Sequence, residues 1–366
     1  MRFLHFCEPE VGDEEQALVV EVLKSNFLND GEFTTRFEQE CAERMGCRYA
    51  VAVTSGTSAL FLALVAAGVK AGDEAIIPDV TFVATASAVS LVGAHPVLVD
   101  VDPATLNIDP ERVREAITPR TKAIIPVHVS GRAADMEPLL EIAREHGLAV
   151  IEDAAEALES VHRGRCLGTW GDAGCFSFSP NKTMTSGQGG LVVTNREDLH
   201  LRLRELKDQG RPARGTGGGD THESVGFNFK FTNLQAAVGL GQITRLDGRL
   251  RRLREIYERY AQELAGVEGL RLIGFDIKGG EVPQWTDALV ARRDELIAYL
   301  LERDIQCRPF WFPMHTHAPY RLPSDGFPVS SELVPKAMWL PSAYTMTDEE
   351  VRYVCGHVKG FLGATG

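Results

Sequence analysis

The chain has 366 residues, 44% of them hydrophobic and 24% charged, the composition of a folded protein with enough apolar side chains for a large core. A formal charge of −13, from 38 basic against 51 acidic residues, disfavours nonspecific attraction to nucleic acid or an anionic membrane, so an anionic substrate needs a local basic pocket. Seven cysteines (Cys7, Cys41, Cys47, Cys166, Cys175, Cys307 and Cys355) are odd in number and form no Cys-x-x-Cys pair, which predicts reduced thiols and no zinc site. Residues 1–10 meet a proline and acids before any long apolar stretch, and the longest apolar run, Ala59 to Val69, is too short to span a bilayer. A cytoplasmic protein is expected.

Helix-like and strand-like patterns alternate through the first part of the chain, predicting α/β layers around a largely parallel sheet. Asp13, Glu14 and Glu15 open an amphipathic helix to about Ser25, and a second helix is expected from about Thr35 to Met45. Tyr49 to Val53 is a short strand, Ser55-Gly56-Thr57-Ser58 a turn, and Ala59 to Ala67 a helix. Strands follow at Glu74 to Ile77, His95 to Asp100, Lys122 to Val127 and Leu148 to Ile151, with helices from about Phe82, from Pro110 behind the cap Asp109, and from Asp135 to about His146. The fourth of these strands runs into Glu152-Asp153. Cys175 to Ser179 then alternates apolar and polar residues, Leu191 to Val193 forms a further strand, and Lys182 lies between the two.

Past residue 195 the helices lengthen, and the charge-rich stretch from Arg245 marks a surface helix entering a second unit. Single cores stop growing at about 250–300 residues, so the division expected is a large domain over 1–245 and a small α+β domain over 246–366. The latter has strands near Leu270 to Leu272 and Thr286 to Val290, and helices near Glu295 to Glu302 and Asp348 to Lys359. Gly215 to Gly219 does not join a strand to a helix and is read as a mobile loop, not a nucleotide fingerprint.

Three pieces of the large domain answer one requirement, holding an aromatic aldehyde phosphate with its carbonyl beside an amine. Ser55-Gly56-Thr57 opens a helix, where free N–H groups and the positive end of the dipole favour a phosphate and glycine lets the backbone approach it; the competing reading is a plain helix cap. Asp153 ends a buried strand, where open α/β sheets bind ligands, and its carboxylate could keep a pyridine nitrogen protonated; strand ends also carry acids merely as caps. Lys182 sits in a turn of small and polar residues between apolar strands. A solvated loop lysine competes with a desolvated one, which becomes nucleophilic and can move a proton.

With these segments the chain resembles the DegT-type (DegT/StrS) family of nucleotide-sugar aminotransferases. The resemblance is carried by Thr54-Ser-Gly-Thr-Ser-Ala-Leu60, Pro78-Asp-Val-Thr-Phe-Val-Ala-Thr85, Glu152-Asp-Ala-Ala-Glu-Ala157, Phe176-Ser-Phe178 with Asn181-Lys182, Gly226-Phe-Asn-Phe-Lys230, Arg308-Pro-Phe310, Pro313-Met-His315, Leu340-Pro-Ser342 and Thr347-Asp-Glu-Glu350. It implies the α/β aspartate-aminotransferase-like fold of fold type I pyridoxal 5'-phosphate (PLP) enzymes: a large domain on a mixed, mostly parallel sheet and a smaller C-terminal α+β domain. It makes Lys182 the Schiff-base lysine and Asp153 the partner of the pyridine nitrogen, with Gly56, Thr57 and Ser177 on the phosphate. Phe82 would stack on the ring, Glu156 would sit near the ring hydroxyl where many relatives carry glutamine, and Asn228 would reach the phosphate in a neighbouring subunit. The active form implied is a homodimer with shared sites. Plain alternatives remain: Phe82 as core, Ser177 as a strand hydroxyl facing water, Asn228 as a turn residue.

The resemblance further implies two half-transaminations through a pyridoxamine phosphate form, with L-glutamate as donor and a keto sugar nucleotide as acceptor. The lysine at 182 favours transamination, because dehydratase relatives carry histidine there. Its surroundings look more like those of relatives acting at C4 of an NDP-4-keto-6-deoxyhexose than at C3, and cyclitol ketones are further candidates. Lys230, where many relatives have arginine, would meet a diphosphate as a point charge, or else be a loop cation. Arg308 and His315, around the aromatic run Phe310-Trp311-Phe312, resemble the segment lining the sugar-nucleotide pocket. A regulatory protein that kept the fold is the non-enzymatic alternative.

Overall fold

The computed structural model describes residues 2–212 and 221–363, so the Gly215 to Gly219 stretch lies outside the described residues. Twelve helices are described: α1 (Asp13–Ser25), α2 (Glu32–Met45), α3 (Gly56–Ala66), α4 (Val83–Leu91), α5 (Pro110–Ala116), α6 (Met136–His146), α7 (Glu197–Lys207), α8 (Asn233–Ile243), α9 (Leu246–Glu263), α10 (Arg293–Leu301), α11 (Pro328–Leu333) and α12 (Asp348–Gly363). The large sheet comprises β1 (Tyr49–Val53), β2 (Glu74–Pro78), β3 (His95–Val99), β4 (Thr121–Ile124), β5 (Ala149–Asp153), β8 (Ala173–Ser177) and β9 (Gly190–Thr194), with a short hairpin of β6 (Val161–His162) and β7 (Arg165–Cys166) beside it. A second sheet is formed by β10 (Leu270–Leu272), β11 (Thr286–Val290), β12 (Arg308–Pro309) and β13 (Ala337–Leu340).

The large sheet runs β1-β9-β8-β5-β4-β2-β3, and only β9 opposes its neighbours. Strands buried on both faces read as unbroken apolar runs, and β2 is buried at every position. One difference from the sequence reading concerns residues 122–127. The ladder stops at Ile124 because Pro126 has no N–H to donate. Pairing with β5 survives beyond it through the Pro126 carbonyl, which accepts from Asp153 N at 2.8 Å, and through the Val127–Asp153 bridge. Asp153 is thereby fixed at the strand end from both sides.

The second sheet is antiparallel throughout. Helix α9 serves two cores: Leu246, Leu250 and Leu253 pack with Phe37 and Phe178, whereas Ile256 and Tyr260 pack with Leu4, Ile305 and Val354. The expected division at 245 falls at the start of this shared helix, and Leu4 packs with the second unit.

The two sheets meet at Ser130, whose φ of 55° places it in the left-handed region that side chains rarely adopt. Its hydroxyl donates to Asp287 Oδ1 at 2.8 Å and accepts from Trp339 Nε1 at 3.2 Å, while its carbonyl accepts from Gln284 N at 2.9 Å. Asp287 also receives Arg132 at 2.6 Å, and both side chains are buried. Removing one partner of a buried pair leaves an uncompensated charge, at a cost of about 3–5 kcal/mol. Arg132→Met is therefore expected to lower stability by roughly that amount in urea denaturation, and adding Asp287→Leu should recover most of the loss.

Candidate active site

The loop from Phe178 to Gly189 that carries Lys182 is tightly built. Phe178 N donates to Gly189 O at 2.9 Å, Ser186 N to Phe178 O at 3.0 Å and Lys182 N to Ser179 O at 3.1 Å, while Phe178 and Met184 are buried. The Lys182 side chain is 13% exposed, so the solvated reading of this lysine does not hold. Its ammonium lies 3.2 Å from Glu156 Oε1 and 5.0 Å from the centre of the Trp285 ring.

Glu152 and Asp153 illustrate how period-two alternation assigns different roles to adjacent acids. Glu152 is spent on structure, accepting from Gly168 N and Gly171 N at 2.7 Å each and meeting His128 Nε2 at 2.9 Å. Because His128 Nδ1 accepts from Ala134 N at 3.2 Å, the proton of that ring sits on Nε2 and points at Glu152. Asp153 accepts from Thr85 Oγ1 at 2.7 Å and Ala155 N at 3.2 Å. Burial pushes its carboxyl above the usual range, against the opposing pull of those two hydrogen bonds and of the Lys182 charge. Glu156 is raised too, again chiefly by burial, although Lys182 and its bond from Ser130 N oppose the shift. Two buried acids with incomplete compensation suit a site completed by a cationic ring.

At the other side of the site, Ser55 caps α3 in a reciprocal arrangement with Ser58, so the cap reading holds and the first-turn N–H groups of Gly56 and Thr57 are left for another acceptor. A Cβ on Gly56 would stand 2.9 Å from Ser177 Cβ, so glycine leaves room for Ser177 at the end of β8. Gly190, opposite Ser177 in the ladder, is needed for the same closeness, since a Cβ there would stand 2.2 Å from Ser55 O. These constraints bring the start of α3, at Gly56 and Thr57, against Ser177 at the end of β8. Phe82 is 55% exposed at the start of α4, which rules out the core reading.

The remaining expected residues fare differently. Asn228 is exposed and bridges Asp208 through its backbone. Lys230 bridges Val53 through its backbone and pairs with Asp208 at 2.6 Å, so it is no free loop cation. Arg308 is exposed at the start of β12. His315 is held apart from Lys182. Its imidazole is buried, with Nδ1 at 2.7 Å from Asp79, Nε2 at 3.2 Å from Ser324 Oγ, and the ring stacked on Phe327 at 4.6 Å. With both nitrogens and a face engaged, His315 holds its own segment and does not line the cleft beside Lys182. Of the aromatic run, Phe310 is core and Phe312 is exposed.

That cleft is lined by Cys7, Asn181, Lys182, Gln284, Trp285 and Tyr344, among others. Sequence reasoning missed Trp285, Gln284 and Ser130 as site residues. The available signal was an aromatic and an amide entering an apolar strand, with nothing local to show that Lys182 sits across from them.

A largely buried lysine in the loop after β8, a buried carboxylate at the end of β5 and a helix start packed against Ser177 lie on the mostly parallel sheet of a fold type I pyridoxal-phosphate enzyme. Residues 9–359 match the DegT/DnrJ/EryC1/StrS aminotransferase family, and the chain belongs to that family. It is 38% identical over 352 residues to GDP-perosamine synthase of Caulobacter vibrioides, covering 94% of each chain. It is 37% identical to spore coat polysaccharide biosynthesis protein SpsC of Bacillus subtilis, covering 98% of this chain and 97% of that one. The crystal structure of S. venezuelae DesV in complex with a ketimine intermediate superposes with a TM-score of 0.92 at 32% identity, over 99% of both chains. The protein is a PLP-dependent sugar aminotransferase. Among the described residues no helix is long and apolar enough to cross a membrane.

Two outcomes follow from this geometry. Gly56→Ala should keep the helix, since alanine is the better helix former, but weaken PLP binding about tenfold or more by crowding Ser177, read by absorbance titration. In the cofactor-free protein, the raised carboxyls of Asp153 and Glu156 contribute stability that is present below their unfolded values near 4 and lost as pH rises through their folded ones. The thermal midpoint should fall over that window. Asp153→Asn should flatten part of the fall while abolishing tight cofactor binding.

Proposed function

We propose that this protein moves an amino group from L-glutamate to C4 of an NDP-4-keto-6-deoxyhexose, acting as a homodimer with shared sites. The observation that carries the reading is the Lys182 amine, held out of water between Glu156 and Trp285, with Asp153 and the start of α3 at Gly56 flanking the same loop. A sugar-nucleotide acceptor is supported by the similarity to GDP-perosamine synthase, and the C4 position by the resemblance of the residues around Lys182 to relatives acting there. C3 and cyclitol acceptors remain the competing outcomes of the substrate panel below.

In this reading Lys182 is the covalent anchor of PLP, Gly56, Thr57 and Ser177 hold the phosphate, Phe82 covers a ring face and Glu156 meets the ring hydroxyl. When bound, PLP supplies an electron sink for the substrate carbon that exchanges its proton. Asp153 holds a proton at the pyridine nitrogen, and its burial makes that bond strong because no water competes. Lys182, when free, moves the proton at the reacting carbon, working over a distance set by its rigid loop. Glu156, 3.2 Å from the Lys182 amine, would keep that amine in place whenever it is not joined to the cofactor. Asn228, exposed on this chain, reaches the phosphate in the neighbouring subunit, and Lys230, positioned by Asp208, meets the diphosphate of the acceptor.

Purified protein is expected to be yellow and to lose that band on borohydride treatment, whereas Lys182→Ala should not bind PLP covalently and should lose about 1,000-fold or more of its activity. Release of 2-oxoglutarate from glutamate should depend on an added 4-keto sugar nucleotide. A panel in which only 3-keto sugars or cyclitol ketones support it would overturn the C4 assignment, and a colourless protein that takes up no PLP would overturn the reading as a whole.

A further inference from the structure

The Lys182 amine rests on two groups, Glu156 Oε1 at 3.2 Å and the Trp285 ring with its centre at 5.0 Å, and they come from different units of the fold. Glu156 lies beyond the end of β5 and Trp285 immediately precedes β11, so neither sits in a strand whose ladder would fix it.

One buried residue reaches both. Ser130 gives its N–H to Glu156 Oε2 at 2.9 Å, and its carbonyl accepts at 2.9 Å from the N–H of Gln284, the neighbour of Trp285 in the chain. Its φ of 55° is left-handed, and the second unit holds its hydroxyl through Asp287 Oδ1 at 2.8 Å and Trp339 Nε1 at 3.2 Å.

The next residue tightens the same seam. A Cβ on Gly131 would stand 2.0 Å from Val282 O and 3.1 Å from Glu156 O, so glycine lets the turn lie directly against both segments. Gly131 O accepts from Ser160 Oγ at 2.6 Å, and that oxygen in turn accepts from Val282 N at 3.0 Å. The stretch leading to Trp285 is therefore seated on residues 130–131 before it enters its own sheet.

A lysine ammonium is a compact charge on a flexible stem, and a single hydrogen bond to Glu156 would let it swing. The face of Trp285 removes that freedom. Glu156 in turn spends one oxygen on Lys182 and the other on Ser130 N, so its carboxylate is locked only while the Ser130 turn holds.

We propose that Ser130 is a positioning residue for amine transfer, its turn setting Glu156 and Trp285 around the Lys182 amine whenever that amine is not joined to the cofactor. This rests on the reading of Lys182 as the covalent anchor. A small misplacement of a reacting group can cost about a hundredfold in rate, so Ser130 gains control over the step while acting only through Glu156 and Trp285.

The test treats protein loaded with pyridoxamine phosphate, in which the lysine amines are free, with acetic anhydride and follows acetylation site by site by mass spectrometry. Lys207, buried and paired with Glu38 at 3.2 Å, reports general opening of the fold. Ser130→Gly loses the hydroxyl but takes the left-handed backbone without strain, and it should raise Lys182 acetylation about threefold. Ser130→Ala loses the hydroxyl and is strained there as well, and it should raise Lys182 acetylation about tenfold. Lys207 should keep its wild-type rate in both. Wild-type labelling of Lys182 in Ser130→Gly overturns the proposal even where Ser130→Ala does not fold. A rise that Lys207 shares equally overturns it too, since that marks a merely structural turn, as does Ser130→Ala labelling no faster than Ser130→Gly. Borohydride reduction of the wild-type holoenzyme checks the anchor separately. Cofactor fixed to another lysine, with the Lys182 contrast intact, sinks the anchor reading and leaves the hold of Ser130 on the amine standing. Cofactor fixed to Lys182 without that contrast sinks the role of Ser130 alone.

Discussion

Asp153 and Glu156, three residues apart, are both withdrawn from water at and just beyond the carboxyl end of β5, the central strand of the large sheet, and an acid so placed is expensive unless its oxygens are served. Much of the surrounding structure answers that demand. Thr85 and the Ala155 peptide serve Asp153, while Ser130 N and Lys182 serve Glu156. Ser130 gives its N–H to Glu156 from a left-handed backbone, and the same turn places its hydroxyl and carbonyl on Asp287, Trp339 and Gln284 of the second unit. The acid that holds the lysine therefore also fixes how one sheet meets the other.

Sequence and structure agree most closely where function is local. The strand ending on Asp153, the turn at Gly56 and the small-residue loop around Lys182 are each contained in a few consecutive residues, and each is where the sequence places it. The short strands of the second sheet are less legible. Arg308–Pro309 and Ala337–Leu340 are two and four residues long, too brief for a periodic pattern to emerge, and they exist because β11 offers an edge and β13 then offers another.

Side-chain roles were least legible where the partner is far away in the chain. Nothing near His315 in the sequence announces its bond to Asp79, 236 positions earlier. Lys230 reads as a loop cation until Asp208 pairs with it. Ser130 and Trp285 carry no local mark of importance, because their significance comes from Glu156 and Lys182 across the fold. A sequence specifies such contacts only through the whole tertiary structure.

Leu4 forms a parallel bridge with Ile305 and lies in one core with Tyr260, Val354 and Val358. On a ribosome, where residues appear in order, the segment around Leu4 must wait for almost the entire polypeptide before its partners exist. The large sheet, whose last strand ends at Thr194, can assemble long before then. Production of the second unit is thus a late, long-range closure with a high entropic toll on its rate, and any bulky extension fused ahead of Leu4 would act on that closing step before it touched the chemistry at Lys182.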